Sequence, residues 1–244
     1  TVPAESRDEH FYLRQADDLY RGARFDKALR YYSRALEYNA NLFPAWFGQV
    51  QMLLELGEYK EARLWAEKGM EIHRDHPDLL SAKAVAIARS GDVGLALPFS
   101  DAAMKQKGST PFVWIARGEA LLAAEQANHE ACFLKADETA KSDWFSAVSI
   151  GRVEFLYENY AKAQHWARKA LDRAGNRPFA WHLLGDCQRK LGLASQAGIS
   201  FGQALSLDPD FPLAKEALLR LNSRSPIDRM ADWLARIPGR GRRR

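Results

Sequence analysis

The chain has 244 residues, 47% of them hydrophobic and 27% charged, with a formal net charge of +4. No run of about 18 apolar residues occurs, which excludes a membrane-spanning helix, and no secretory signal is visible. Two cysteines, Cys132 and Cys187, are too few for a disulfide framework and favour a reducing, cytoplasmic setting.

After an N-terminal flank (1–8), pairs of helical segments recur with a period of about 34 residues. The blocks run 9–42, 43–76, 77–110, 111–143, 144–177 and 178–211. A small residue takes the eighth place (Ala16, Ala84, Gly118, Gly151, Gly185), and Val50 breaks that rule in the second block. Alanine takes the twentieth place (Ala28, Ala62, Ala96, Ala163, Ala197), and another small residue takes the twenty-seventh (Ala35, Gly69, Ala103, Ala170, Ala204). Small residues at fixed places let two helices approach closely while Trp, Leu and Phe fill the flanking holes. Leu56-Gly57, Ser90-Gly91 and Leu191-Gly192 end first helices. His76-Pro77, Thr110-Pro111, Arg177-Pro178 and Asp208-Pro209 separate blocks.

The blocks differ in detail. The first presents Tyr12, Tyr31 and Tyr32, which suit internal packing or self-association. The fourth loses register, with Glu130 where alanine is expected and Ala131 one place late. This predicts a distorted second helix over 127–140 and a local change of superhelical pitch. Residues 212–223 read as a capping helix with Leu213, Ala214, Ala217, Leu218 and Leu221 on one face. Residues 224–244 read as a short amphipathic helix and a polybasic tail. That segment holds seven arginines against two acids, a net +5, so the rest of the chain stands at −1.

Trp181, Leu184-Gly185, Ala197, Phe201, Ala204 and Pro209 in the last block resemble the tetratricopeptide repeat signature. Gln188 replaces the expected Tyr. Trp46, Leu53, Gly57, Tyr59 and Ala62 repeat the resemblance, as do Trp114, Gly118 and Leu121, and Gly151, Tyr160, Ala163 and Ala170. It covers about residues 9–211 and implies an all-α fold, a right-handed α-solenoid of about six helix-turn-helix repeats with a C-terminal capping helix.

The resemblance also implies a concave groove lined by the first helix of each repeat. Carried onto this chain, its lining is Phe47 and Gln51; Phe112, Ile115 and Glu119; Phe145, Val148, Arg152 and Phe155; His182 and Asp186. Leu13, Asp17, Tyr20 and Arg21, Leu54, Ser81, Val85 and Arg89, Leu122, and Phe179 and Arg189 join them. Phe112, Ile115, Phe145, Val148 and Phe155 are expected to form an exposed apolar patch, with Arg152, Glu119 and Asp186 choosing register. Family members that bind chaperone tails hold a carboxylate with Lys and Asn on the first inner helix. Leu13 and Asp17 stand at those places here, which argues against that ligand.

No Gly-rich phosphate loop occurs, and the pairs His73/His76 and His129/Cys132 lack a third metal ligand. No catalytic constellation is legible, and no cofactor is expected. The expected function is therefore a non-enzymatic scaffold or adaptor that binds a peptide or amphipathic helix of a partner protein. The alternative is an accessory subunit tethered to an anionic membrane surface or nucleic acid through Arg236, Arg240, Arg242, Arg243 and Arg244.

Overall fold

The computed structural model of the protein describes residues 7–222. Among them every regular element is helical. The helices are α1 (Glu9–Arg21), α2 (Phe25–Tyr38), α3 (Phe43–Glu55), α4 (Tyr59–Ile72), α5 (Pro77–Arg89), α6 (Val93–Lys105), α7 (Pro111–Ala123), α8 (His129–Thr139), α9 (Trp144–Leu156), α10 (Tyr160–Arg173), α11 (Pro178–Lys190), α12 (Ala194–Leu207) and α13 (Pro212–Asn222). Consecutive helices pack against one another along the chain, which gives an α-solenoid of helix pairs.

The periodic small residues are the points of closest approach. Ala16, Ala84, Ala28, Ala62, Ala96, Ala163, Ala197, Ala35, Ala170 and Ala204 are all fully buried. At three first-helix glycines an aromatic ring occupies the space of the missing side chain, and at Gly151 the Leu183 side chain does so, 2.9 Å from a built Cβ. A Cβ on Gly185 would lie 2.5 Å from Phe201, one on Gly118 2.4 Å from Phe133, and one on Gly48 2.3 Å from Tyr32.

Phe133 also resolves the irregular fourth repeat. Helix α8 has 11 residues where α10 and α12 have 14. Its buried face is Cys132, Phe133, Ala136 and Asp137, so Phe133 fills the hole over Gly118 although Glu130 breaks the alanine pattern.

First-helix C-termini need a left-handed residue. Gly57, Gly91 and Gly192 supply it with φ of 81°, 93° and 78°. In the other three repeats Ala23, Glu125 and Glu158 adopt the same region, at φ 55°, 55° and 63°. The signature tryptophans tie repeats together: the indole of Trp46 donates to the Ala40 carbonyl at 2.7 Å, and Trp181 to that of Gly175 at 2.8 Å. Helix α13 caps the array through buried Ala214 and Ala217, with Leu213, Leu218 and Leu221 packed on the same core.

The array does not stay open. The C-terminal end of α1 and the turn after it reach across the concave side to the fifth and sixth repeats. Arg21 pairs with Asp143 at the start of α9, and Arg24 donates to Asp208 at 2.7 Å and to the Asp210 carbonyl at 2.9 Å. Tyr20 meets the Phe145 ring edge-on at 4.9 Å, and Phe25 meets Phe179 at 5.9 Å. Repeat arrays ordinarily contact only their neighbours; here first and last repeats share a seam.

Candidate functional site

The first helices of all six repeats converge on one cavity of about 620 Å³. Its walls carry Tyr20, Phe25, Gln51, Glu55, Tyr59, Arg89, Phe112, Ile115, Glu119, Phe145, Ser146, Arg152, Phe155, Phe179, His182 and Asp186. Fourteen of the twenty-two positions expected on the groove are therefore brought together. They come from the first helices of all six repeats, which offer a similar face to the inside once the repeat period fixes their rotation.

Eight expected positions, Leu13, Asp17, Arg21, Phe47, Ser81, Leu122, Val148 and Arg189, lie outside the lining, and two lining residues play a different part. Val148 is fully buried within the core, so it adds nothing to an exposed patch. Phe47 is outside the lining and packs edge-on against Phe112 at 4.9 Å. Ile115 is 7% exposed and belongs to the core as much as to the cavity. The expected continuous apolar patch is thus shortened to the half-buried rings of Phe112, Phe145 and Phe155. Glu119, expected to choose register on an open surface, is 1% exposed and committed to Arg89.

Charge inside the cavity is paired throughout. Arg89 donates to both oxygens of Glu119, at 2.7 and 3.0 Å, and also to the Leu54 carbonyl at 3.3 Å. Burial opposes the charge on Arg89, but the Glu119 carboxylate outweighs it and holds the guanidinium protonated. Arg152 pairs with Glu55 and lies between the rings of Phe25 and Phe179, 5.2 and 5.3 Å from their centroids. Arg189 pairs with Asp186 at 3.2 Å. His182 sits 3.5 Å from Asp186 and against the rings of Phe201 and Phe211. Its burial pushes the imidazole below its ordinary value, towards the neutral form.

Sequence reasoning missed Phe25, Tyr59, Glu55 and Ser146. Phe25 and Tyr59 are first residues of second helices and escape the first-helix register. Glu55 ends α3 and meets Arg152 only because the array curls. Asp17 accepts the Tyr32 hydroxyl at 2.7 Å, so the place where chaperone-tail binders carry a cationic or amide contact holds an acid already engaged in packing. Cys187 is fully buried, and burial pushes its thiol up to about 12. No cluster of three or more metal-ligating side chains occurs among the described residues. Likewise no helix among them is long and apolar enough to cross a membrane. The basic residues Arg236, Arg240, Arg242, Arg243 and Arg244, and the helix expected over 225–237, lie outside the described residues.

An all-helical solenoid of this period, with side chains converging on a concave interior, defines a repeat scaffold of the kind that mediates protein–protein interaction. Two tetratricopeptide repeat models match the sequence, over residues 19–86 and 180–211. The chain carries tetratricopeptide repeats over those residues. No curated protein matches it in sequence.

Solved structures share the fold. A tetratricopeptide repeat protein from Parabacteroides merdae is 16% identical, with a TM-score of 0.55 over 91% of this chain and 87% of that one. A chain of the APC/C hetero-tetramer Cut9–Hcn1 is 14% identical, with a TM-score of 0.52 over 90% of this chain. This chain spans only 44% of that chain's length. The human IFIT1 dimer with m7Gppp-AAAA is 17% identical, with a TM-score of 0.53 over 90% of this chain and 57% of that one. At these identities the likeness is one of fold.

Proposed function

We propose that the protein is a non-enzymatic adaptor that holds a short segment of a partner protein on its concave side. The observation that carries this reading is the convergence of first-helix side chains from every repeat on a single aromatic-walled cavity. A cavity of about 620 Å³ falls in the range that holds a ligand or a few side chains. A second reading rests on the charge distribution: the net +5 of residues 224–244 against −1 for the remainder suits tethering to an anionic surface or nucleic acid.

One experiment separates them. Affinity capture from source lysate, followed by direct titration of the captured partner, is run on the intact chain, on a Phe112→Glu/Phe155→Glu variant checked for helicity, and on a truncation after Ser223. The adaptor reading expects a protein partner that survives truncation and high salt and is lost with the cavity pair. Capture that follows the tail and collapses in high salt would replace it with the tether.

A further inference from the structure

The last described helix begins at the concave cavity. Leu213, in the first turn of α13, lines the cavity, and α13 ends nine residues later at Asn222. At helical rise that end lies about 14 Å from Leu213. The five residues from Ser223 to Ile227 span at most about 17 Å when extended. The chain from Ile227 onwards is therefore long enough to return to the cavity.

Its sequence suits the cavity in polarity and length. Ile227, Met230, Leu234 and Ile237 follow one another at intervals of three or four residues, with Trp233 beside them. From Ile227 to Ile237 is ten residues, about 15 Å at helical rise. Phe145 and Phe155 also stand ten residues apart, on α9, and both line the cavity, so the aromatic wall is of the same length.

The charges match as well. Every carboxylate and guanidinium on the lining is already paired: Glu119 with Arg89, Glu55 with Arg152, Asp186 with Arg189 and Asp143 with Arg21. A ligand with net charge would have to break one of these pairs away from water, which is costly. Within 225–237, Asp228 and Asp232 offset Arg229 and Arg236, so that stretch is neutral although 224–244 as a whole carries +5. The surplus lies on either side of it, on Arg224 and on Arg240, Arg242, Arg243 and Arg244.

We propose that residues 225–237 dock in the concave cavity of their own chain, their apolar stripe against Phe112, Phe145 and Phe155, and so compete with the partner segment. A short tether holds such a competitor at an effective concentration on the order of millimolar, so even weak intrinsic affinity keeps the cavity occupied. The inference rests on the adaptor reading and adds its regulation: a partner binds by displacing the tail.

The test uses the full chain and a fluorescently labelled synthetic peptide of residues 224–238, titrated by anisotropy. It is run on the original chain, on full-length Met230→Glu/Leu234→Glu, and on that variant with Phe112→Glu/Phe155→Glu added. The tail substitutions lie outside the described helices, so comparison of the first two proteins does not depend on the cavity pair folding. The expected outcome is binding to the tail variant that is roughly tenfold or more tighter than to the original chain, and that is lost when the cavity pair is added. A benzophenone at the Trp233 position of the peptide should label α7, α9 or α11. No binding to the tail variant, equal binding to it and to the original chain, or labelling confined to other helices would overturn the docking. Weakening on the original chain that grows with its concentration would assign the tail to the cavity of a second copy and overturn docking within one chain. None of these results removes the adaptor reading, which is decided by capture of a partner through Phe112 and Phe155.

Discussion

Arg21 donates two hydrogen bonds, of 2.9 and 2.8 Å, to the two carboxylate oxygens of Asp143, joining residues 122 apart in sequence. The same guanidinium lies 5.0 Å from the ring centroids of Trp144 and Phe145. With Arg24 on Asp208, it closes the first repeat onto the start of the fifth and the end of the sixth. The seam turns a groove into a cavity, so shape and ligand access are coupled to a small set of ionic contacts.

That coupling predicts a salt-dependent shape. The side chains of Arg21 and Asp143 are 39% and 36% exposed, and exposed pairs contribute only about 0.2–1 kcal/mol. Arg21→Ala/Arg24→Ala should therefore lower global stability little. Its radius of gyration by small-angle scattering should nevertheless exceed that of the original chain at low salt. The original chain should expand towards the same value at about 1 M salt, where the screening length falls to about 3 Å. Identical scattering from both proteins at low salt would show that Tyr20–Phe145 and Phe25–Phe179 hold the seam without the arginines.

Two glycines in the last repeat should respond in opposite senses to the same substitution. Gly185→Ala places a Cβ 2.5 Å from Phe201, a ring that is itself fully buried, so overpacking should cost about 1–3 kcal/mol. Gly202 lies in α12 with nothing within 4 Å of a built Cβ. Gly202→Ala should stabilise by about 0.5–1 kcal/mol through helix propensity. Urea midpoints of the two variants should fall on either side of the original; a common direction would refute the packing assignment.

How much of this was legible in sequence follows from the range of each interaction. Ala28, Gly118 and Gly185 announce themselves because a helix pair repeats its crossing point every period, and Gly57, Gly91 and Gly192 mark turns that only local geometry decides. Phe133 was less visible, since it fills its hole from a second helix whose alanine pattern had slipped. Val148 was placed on the groove by register, but it is fully buried in the core although Phe145, Arg152 and Phe155 of the same helix line the cavity. Arg21–Asp143 and Arg152–Glu55 had no signature at all, because the curl that brings them together sums small rotations over four or five repeats.

Buried carboxylates on α8 and α9 should give opposite responses to acid. Burial alone would raise Asp137, but hydrogen bonds from Arg173, at 2.6 and 2.7 Å, and from Lys169 outweigh it and leave it below its ordinary 3.8. Its contribution is present above 3.8 and is lost as pH falls through the lower folded value. Asp137→Asn should cost about 1.5–3 kcal/mol at neutral pH and nothing in strong acid. Burial raises Glu154 above its ordinary 4.5, against the opposing Asn159 hydrogen bond, so its protonation on acidification favours the folded state. Denaturant midpoints against pH should then show that the advantage of Glu154→Gln over the original chain shrinks as pH falls towards 4.5.

The Arg89–Glu119 pair offers the sharpest test of how the cavity is built. Arg89 reaches from α5 to Glu119 on α7 and to the Leu54 carbonyl on α3, so one guanidinium crosses three repeats. Glu119 is 1% exposed, and the Tyr157 hydroxyl also bonds to it. Arg89→Met would leave that carboxylate buried without its cation, at a loss of about 3–5 kcal/mol. Replacing both, Arg89→Met/Glu119→Leu, removes the uncompensated charge and should recover most of the loss. A double variant as unstable as Arg89→Met would mean that the bond to Leu54, not the ion pair, holds the three first helices in place.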